Sequence, residues 1–146
     1  MEIYLASDHA AYEDKEMVKR FLESKGNKVI DLGTDSPKRC NYPDFAIKLS
    51  DEVVRNKGRG ILLCGSGIGV SIVANRFKGI RAALCKSASE AKLSREHNDS
   101  NVLCLAGRVS KENELKEMVV AWLEGEFEGG RHAERLAIFE NLGEEI

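Results

Sequence analysis

The chain has 146 residues, 42% of them hydrophobic and 32% charged, which excludes a disordered chain and fits a single globular domain over residues 1–146. With 22 Lys and Arg against 24 Asp and Glu, the formal net charge of −2 does not favour nucleic acid or an anionic membrane as the main partner, but it leaves room for a local basic pocket. No window holds the ~18 apolar residues of a membrane span, and no basic leader precedes Asp8.

The four cysteines do not form a Cys-x-x-Cys pair, which argues against a zinc ribbon or a thioredoxin-type motif. Cys85 and Cys104 lie in apolar runs and are interpreted as small buried hydrophobic residues. The pattern predicts free thiols in a reducing cytoplasm, with no metal site.

Short apolar runs alternate with longer amphipathic runs along the chain. The predicted strands cover residues 3–6, 29–32, 61–64, 80–85 and 102–106. Five helices are predicted between and after these strands. The first covers residues 12–25, the second is opened by Pro43 and Asp44, and the third starts at about Val70. The fourth has a capping box at Ser87 and Glu90, and the fifth has an apolar face that runs from Leu115 to Leu123. Such alternation predicts an α/β fold, with a five-stranded parallel sheet and helices on both faces.

The segment 126–146 lies outside this alternating pattern. It holds a glycine pair at 129–130, then Arg131, His132 and Arg135, followed by a short helical pattern. We expect this C-terminal tail to pack on a neighbouring subunit.

Ligands of open parallel sheets bind beyond the carboxyl ends of the strands. Polar clusters follow the first predicted strand at 7–9 and the third at 64–69, and another lies near His97, just ahead of the fifth. The pattern predicts that these three clusters share one edge of the sheet, or lie close to it, and form a pocket.

The run from Cys64 to Gly69 is the most informative motif. Its glycines, Gly65, Gly67 and Gly69, let the backbone approach a ligand and expose N–H groups at a helix start. The run is not a Walker A loop, because no Lys follows, and Val70 stands where a dinucleotide fingerprint needs its third glycine. We interpret it as a ligand-binding loop of a less common kind.

Each candidate side chain has two readings. Cys64 is either a thiolate base or an inert buried cysteine. The Asp8–His9 pair either binds a ligand or caps a helix, and His97 with Asn98 either binds a ligand or ends one.

The cationic residues of the tail have the same ambiguity. Arg131 and Arg135, one helical turn apart, either clamp a phosphate beside His132 or belong to a solvated tail. Arg108 either joins that cluster or is only a surface charge.

Eight motifs follow one another along the chain: Asp8-His9, Asp31-Leu32-Gly33-Thr34, Tyr42-Pro43-Asp44, the run 64–69, Ala74-Asn75, Gly79-Ile80-Arg81-Ala82, the run 97–102 and Gly129-Gly130-Arg131-His132. In this order they resemble the ribose-5-phosphate isomerase B family, which also includes the galactose-6-phosphate isomerase subunits. The match runs from Ile3 to about Arg135. The resemblance implies a Rossmann-like three-layer fold and a homodimer, or a dimer of dimers, with active sites at the subunit interface. It implies no cofactor and no metal.

The resemblance also implies roles for single residues. Cys64 is the base that moves a proton between carbons 1 and 2 of the sugar, and His97 helps to open the furanose ring, with Asp8 assisting. The substrate contacts fall on Asp8, His9, Asn98 and the loop residues Gly65, Ser66, Gly67, Ile68 and Gly69. The phosphate contacts fall on His9, Arg108, Arg131, His132 and Arg135.

Two positions place the chain within the family. Val70 stands where one subgroup has a Glu base, so the resemblance points to the cysteine subgroup. Ser66 stands where many members have Thr. The serine keeps the hydroxyl group of threonine and lacks its methyl group. The base, the ring-opening His97 and the phosphate arginines occur on one chain, which favours a homomeric enzyme.

The expected reaction is the interconversion of D-ribose 5-phosphate and D-ribulose 5-phosphate through an enediolate, a step of the non-oxidative pentose phosphate pathway. Two alternatives stay open. One is an isomerase of the same family acting on allose or galactose 6-phosphate. The other is a non-catalytic module that binds an anion or a nucleotide.

Overall fold

Five parallel strands form one sheet in the order β2-β1-β3-β5-β4 in a computed structural model that describes residues 1–146. The strands are β1 Glu2–Ser7, β2 Lys28–Asp31, β3 Arg59–Cys64, β4 Ala82–Leu84 and β5 Val102–Ala106. The central strands β1, β3 and β5 are almost wholly buried. They therefore read as continuous apolar runs, as strands covered on both faces do.

Helices cover both faces of this sheet. They are α1 Tyr12–Ser24, α2 Tyr42–Asn56, α3 Ile68–Ala74, α4 Ala88–Asn98, α5 Glu112–Glu124 and α6 Arg131–Phe139. Side chains of β1 alternate between two cores: Ile3 and Leu5 pack with α1, α4 and α5, whereas Tyr4 and Ala6 pack with α2 and α3. The predicted three-layer α/β fold is confirmed. None of the helices combines the length and apolar character needed to cross a membrane.

The fourth strand is shorter than the sequence pattern predicts. It covers Ala82–Leu84 instead of 80–85. Just before the strand, the Arg81 N–H donates to the side-chain Oδ1 of Asn101 at 2.8 Å. This side-chain hydrogen bond takes the place of a backbone hydrogen bond to the neighbouring strand. Helix α3 begins two residues earlier than expected, directly after Gly67.

The predicted cap of α4 forms in part. Ser87 Oγ accepts the Glu90 N–H at 3.1 Å, as an N-cap serine does. The Glu90 carboxylate reaches back to the N–H of Lys86 at 2.7 Å instead of that of Ser87. The cap fixes the start of the helix that carries His97 and Asn98, two of the predicted site residues, at its far end.

The last residues of the chain pack against the segment that follows α3. Glu144 forms a parallel bridge with Phe77, and Lys78 Nζ lies 2.9 Å from Glu145 Oε1. These contacts fix the end of a segment for which the sequence carries no motif. Packing of α6 on a neighbouring subunit stays a prediction.

Candidate active site

A cleft of about 380 Å³ opens beyond the carboxyl ends of β1, β3 and β5. Its lining combines a carboxylate, an imidazole, a thiol, a hydroxyl and a guanidinium group. The lining residues are Asp8, His9, Ala10, Tyr42, Cys64, Gly65, Ser66, Gly69, Arg108 and Val109. The first two predicted polar clusters therefore meet at one edge of the sheet, as parallel strands require.

Cys64 is the last residue of β3 and lies at the wall of this cleft. Only 4% of it is exposed. The Gly67 N–H donates a hydrogen bond to Cys64 Sγ, with the nitrogen 3.1 Å from the sulfur. The sulfur therefore lies at the cleft wall within hydrogen-bond distance of a backbone donor, a position from which it can reach a bound ligand.

The tight turn after Cys64 needs glycine at one place and is crowded at a second. Gly67 has φ +73°, and a Cβ there would lie 2.5 Å from Leu84 Cδ1. A Cβ on Gly65 would lie 3.1 Å from Cδ of Arg108, which packs across the loop. The close approach of Arg108 brings a cation to the cleft, so this residue joins the Cys64 group and not the tail cluster.

Hydrogen-bond donors of the loop remain available to a ligand. Ser66 Oγ accepts the Ile68 N–H at 3.2 Å, which leaves its hydroxyl proton free to donate elsewhere. The backbone N–H groups of Gly65 and Ser66 donate to no acceptor in the chain. Unpaired donors beside a nucleophile or base are what stabilisation of an oxyanion requires.

The capping role predicted for Asp8 is confirmed, and its ligand-binding role stays a prediction. Its Oδ1 accepts the Ala11 N–H at 3.2 Å and so caps a 3-10 turn over His9–Ala11. The same carboxylate lines the cleft and is 7% exposed. The cap holds the carboxylate in place, and its second oxygen has no partner among the chain's hydrogen bonds.

His9 is held in one tautomer by the loop before α2. Its Nδ1 accepts the Cys40 N–H at 3.2 Å, so the ring proton lies on Nε2. Cys40 Sγ lies 3.8 Å from the same nitrogen. An Nε2–H group at the cleft is a donor suited to a phosphate or hydroxyl oxygen.

A second cluster forms around the end of α4. The rings of His97 and His132 stack with centroids 4.3 Å apart and planes 11° from parallel. His97 Nε2 lies 3.5 Å from Glu128 Oε1. Burial, together with the positive charges of His97 and Arg131, lowers the pKa of His132 below its ordinary value.

Ligand atoms of His97, Glu128 and His132 lie within 4.8 Å of one another, a spacing at which a metal ion is conceivable. The two imidazole planes are nearly parallel, however, so their in-plane lone pairs run side by side and do not converge. The arrangement suits a stacked pair better than a shared metal.

Arg131 and Arg135 lie one turn apart on α6 and are exposed. They flank His132, so the cationic tail cluster is next to His97. Asn98 is also exposed and borders a cavity with Arg81 and Phe139, away from Cys64.

The expectation that all three polar clusters share one edge of the sheet is wrong for His97. Gly60 pairs with Val102, and Cys64 pairs with Ala106. His97 precedes β5 and so lies at the amino edge, whereas Cys64 ends β3 at the carboxyl edge. The two edges are roughly 13 Å apart along the strands. A single chain therefore carries two separate groups of the predicted site residues.

Exposed apolar side chains lie on α3, which follows the glycine loop, and at Val109 in the lining of the Cys64 cleft. Ile68 and Ile72 are 49% and 59% exposed on one face of α3, and Val109 is 69% exposed. Large apolar side chains grouped beside polar ones are typical of a surface that another molecule covers.

Sequence reasoning missed Tyr42 as a lining residue. Its ring lies at the start of α2, and a Cβ on Gly69 would be 2.7 Å from it. The signal was present in the Tyr42-Pro43-Asp44 motif, but only the fold places α2 against the glycine loop.

Two of the remaining cysteines are unsuited to act as bases. Burial raises the pKa of Cys85 to about 11 and raises that of Cys104 as well. Both are thiols at neutral pH, which agrees with their interpretation as buried hydrophobic residues. Cys64 differs from them in its donated hydrogen bond and in its position at the cleft.

Comparison with known proteins gives a consistent assignment. A model of the ribose/galactose isomerase family matches residues 3–139. Ribose-5-phosphate isomerase B of Escherichia coli K12 is 42% identical over 136 residues, covering 92% of this chain and 91% of that protein.

Solved structures give the same answer. Ribose 5-phosphate isomerase B of Thermotoga maritima is 45% identical, with a TM-score of 0.94, covering 97% of this chain and 98% of that one. The Mycoplasma genitalium enzyme, solved with bound ribulose-5-phosphate, is 39% identical, with a TM-score of 0.92, covering 95% of this chain and 93% of that one. The chain therefore belongs to the ribose/galactose isomerase family.

Proposed function

We propose that the protein interconverts D-ribose 5-phosphate and D-ribulose 5-phosphate, with Cys64 as the base. The observation that carries the proposal is the Gly67 N–H bonded to Cys64 Sγ, in a cleft that also holds Asp8, His9 and Ser66. The relatives named ribose-5-phosphate isomerase B support the substrate.

The chemical step moves one proton between two neighbouring carbons. The Cys64 thiolate removes the proton from carbon 2 of the open-chain aldose, and the electron pair of that bond forms an enediolate with negative charge on oxygen 1. The thiol then returns the proton to carbon 1, while the hydroxyl proton of oxygen 2 ends on oxygen 1, which leaves the ketose. General-base action of this kind contributes on the order of a hundredfold to ten-thousandfold.

The charge on oxygen 1 needs donors that are already in place. The hydroxyl of Ser66 and the unpaired N–H groups of Gly65 and Ser66 supply them. Each such donor is worth ~3 kcal/mol in the transition state. The serine keeps the hydroxyl that a threonine would provide, without the methyl group.

Ring opening requires groups that one chain does not bring to the cleft. His97 donates a proton to the ring oxygen, and Asp8 removes the proton of the anomeric hydroxyl. Because these residues lie at opposite edges of the sheet, we infer that His97 and Asn98 come from a second copy. The exposed apolar side chains of Ile68, Ile72 and Val109 mark the surface on which that copy would pack.

The phosphate would be held from both copies. Arg108 and the Nε2–H of His9 contribute from the cleft. Arg131 and Arg135 of the second copy, beside His132, contribute from the other side. Guanidinium groups bind phosphate oxygens through paired hydrogen bonds, so the far end of the sugar is fixed while its first two carbons face Cys64.

The direct test is ketose formation from ribose 5-phosphate by the purified protein in the presence of a chelator. Cys64→Ala should lower kcat by at least about a hundredfold while leaving the circular dichroism spectrum unchanged. Cys85→Ala is the matched control, because its thiol is also buried but lies outside the cleft. Near-normal turnover by Cys64→Ala would refute the thiolate base.

The substrate is tested separately from the base. If the protein turns over allose or galactose 6-phosphate and not ribose 5-phosphate, the pentose assignment is wrong and the hexose alternative holds. If it isomerises none of these sugars yet binds AMP or ATP, it is the non-catalytic module.

A further inference from the structure

A second cavity, of about 370 Å³, lies at the amino edge of the sheet, away from the Cys64 cleft. It shares no lining residue with that cleft. Four of its lining side chains are cationic, namely Lys57, Arg59, Arg81 and Arg95, and only Asp99 is anionic. A protein whose overall charge is slightly negative thus concentrates positive charge in one concave place.

The single carboxylate is already shared by two of the arginines. Arg95 Nη1 lies 2.9 Å from Asp99 Oδ1, and Arg81 Nη2 lies 3.2 Å from Asp99 Oδ2. Arg81 Nε also donates to the backbone oxygen of Asp99 at 2.9 Å. Asp99 therefore leaves Arg59 without a partner of opposite charge.

Two of the arginines that line this cavity each have a buried guanidinium nitrogen without an acceptor. These nitrogens are Arg59 Nη1 and Arg95 Nε. Arg95 is only 5% exposed, so bulk water does not compensate for the missing hydrogen bond. Burial and the neighbouring charge of Arg95 also lower the pKa of Arg59, which marks an excess of positive charge. Buried donors without a partner are uncommon in folded proteins, so these two favour an acceptor that the chain itself does not supply.

We propose that this cavity binds a phosphate group, either as inorganic phosphate or as a phosphate monoester. Guanidinium forks match the tetrahedral oxygens of phosphate, and a dianion would neutralise charge that Asp99 leaves uncompensated. The site is distinct from the phosphate contacts proposed for catalysis, so it does not depend on the proposed function.

The fold provides a reporter for this site. Trp122, the only tryptophan of the chain, lies under Arg59, with Cζ 5.8 Å from the ring. Its Nε1 donates to Ser100 Oγ at 2.8 Å, and the Ser100 carbonyl accepts from Arg95 Nη1. An anion on these arginines should therefore change the fluorescence of Trp122.

The experiment titrates Arg135→Met protein with inorganic phosphate at a constant ionic strength of about 0.15 M. The Arg135→Met substitution weakens the proposed catalytic phosphate contacts. Binding is followed by Trp122 fluorescence and by calorimetry. We expect saturable binding in both readouts. Adding Arg59→Met should weaken it about tenfold or more, because a charged hydrogen-bond partner is lost. Adding Arg20→Met, which removes an exposed charge on α1, should leave the affinity unchanged.

Arg59→Lys keeps the charge and loses the fork, and so gives a milder variant if Arg59→Met fails to fold; we expect an intermediate affinity. A glycerol phosphate titration identifies the source: tighter binding than phosphate assigns the cavity to a phosphorylated metabolite, and weaker binding assigns it to free phosphate. No saturable binding up to about 10 mM phosphate would overturn the proposal, as would equal weakening by Arg59→Met and Arg20→Met.

Discussion

The stacked imidazoles of His97 and His132 couple the proposed ring-opening residue to the tail helix. His132 is 7% exposed, and its pKa is lowered by burial and by the charges of His97 and Arg131. A neutral His132 can stack on His97 without repulsion. We therefore expect the position of α6, and with it that of Arg135, to depend on the charge state of this pair.

Lowering the pH should destabilise this contact. A histidine whose pKa is lower in the folded state takes up its proton more readily when unfolded, so stability falls as the pH drops through and below the ordinary histidine range near 6.5. Between about pH 7 and pH 5, the melting temperature of His132→Gln should fall less than that of the unmodified protein. Equal slopes for the two proteins would contradict this coupling.

At the scale of elements, β2 is fastened to α1 by a buried ion pair. Lys15 is 0% exposed, and its Nζ lies 2.7 Å from Asp31 Oδ2 and 3.0 Å from Glu16 Oε1. Burial raises the pKa of Asp31, but hydrogen bonds from Lys15 and the Gly33 N–H outweigh it, and the net pKa is lowered. Asp31, met first as part of a sequence motif, thus has a structural role.

Asp31→Asn should destabilise the fold by about 3 kcal/mol, because it leaves the buried ammonium of Lys15 with only Glu16 as a charged partner. Urea unfolding measures the change, and Asp35→Asn, at an exposed carboxylate on the next loop, is the matched control. A loss below about 0.5 kcal/mol would show that Lys15 does not need this partner.

The same pair predicts a pH dependence. Since the folded pKa of Asp31 is lowered, its contribution to stability is present above the ordinary carboxyl pKa of about 4 and is lost as the pH falls through the lower folded value. Asp31→Asn should remove part of the acid sensitivity below about pH 4. If the stability of the variant falls below about pH 4 as steeply as that of the unmodified protein, that assignment is contradicted.

Most elements could be predicted from the sequence, because their signals are local. Apolar runs predicted the strands, and Ser87 predicted the start of α4. The extent of β4 could not be predicted, because the Asn101 side chain that replaces its first ladder contact lies 20 residues further along the chain.

At the scale of the whole molecule, the chain carries two separate groups of predicted site residues. Cys64, Asp8 and His9 lie at one edge of the sheet, and His97 lies at the other. If a second copy completes each site, two inactive variants should restore activity when they share a dimer.

Mixing Cys64→Ala with His97→Ala subunits tests this arrangement. With random pairing, half of the dimers are mixed, and each has one intact site, so we expect about one quarter of the unmodified activity. The subunits are co-expressed with different tags so that the mixed dimer can be isolated, and the isolated mixed dimer should then show about half of the unmodified activity. If the mixed dimer is as inactive as either variant alone, the site does not span two copies.

The sequence by itself determined the α/β alternation and the position of the glycine turn. These follow from the spacing of apolar residues and from backbone conformations such as that of Gly67, which depend on neighbours along the chain. It also contained the clue that His97 precedes a strand whereas Cys64 ends one.

Only the tertiary structure decided which of these groups meet. The stacking of His97 on His132 joins residues 35 positions apart in the chain, and the second cavity gathers Arg59, Arg81 and Arg95 from three different segments. Sheet order and helix packing set these contacts, because they depend on how distant elements bury their apolar faces together, and no short stretch of sequence encodes that.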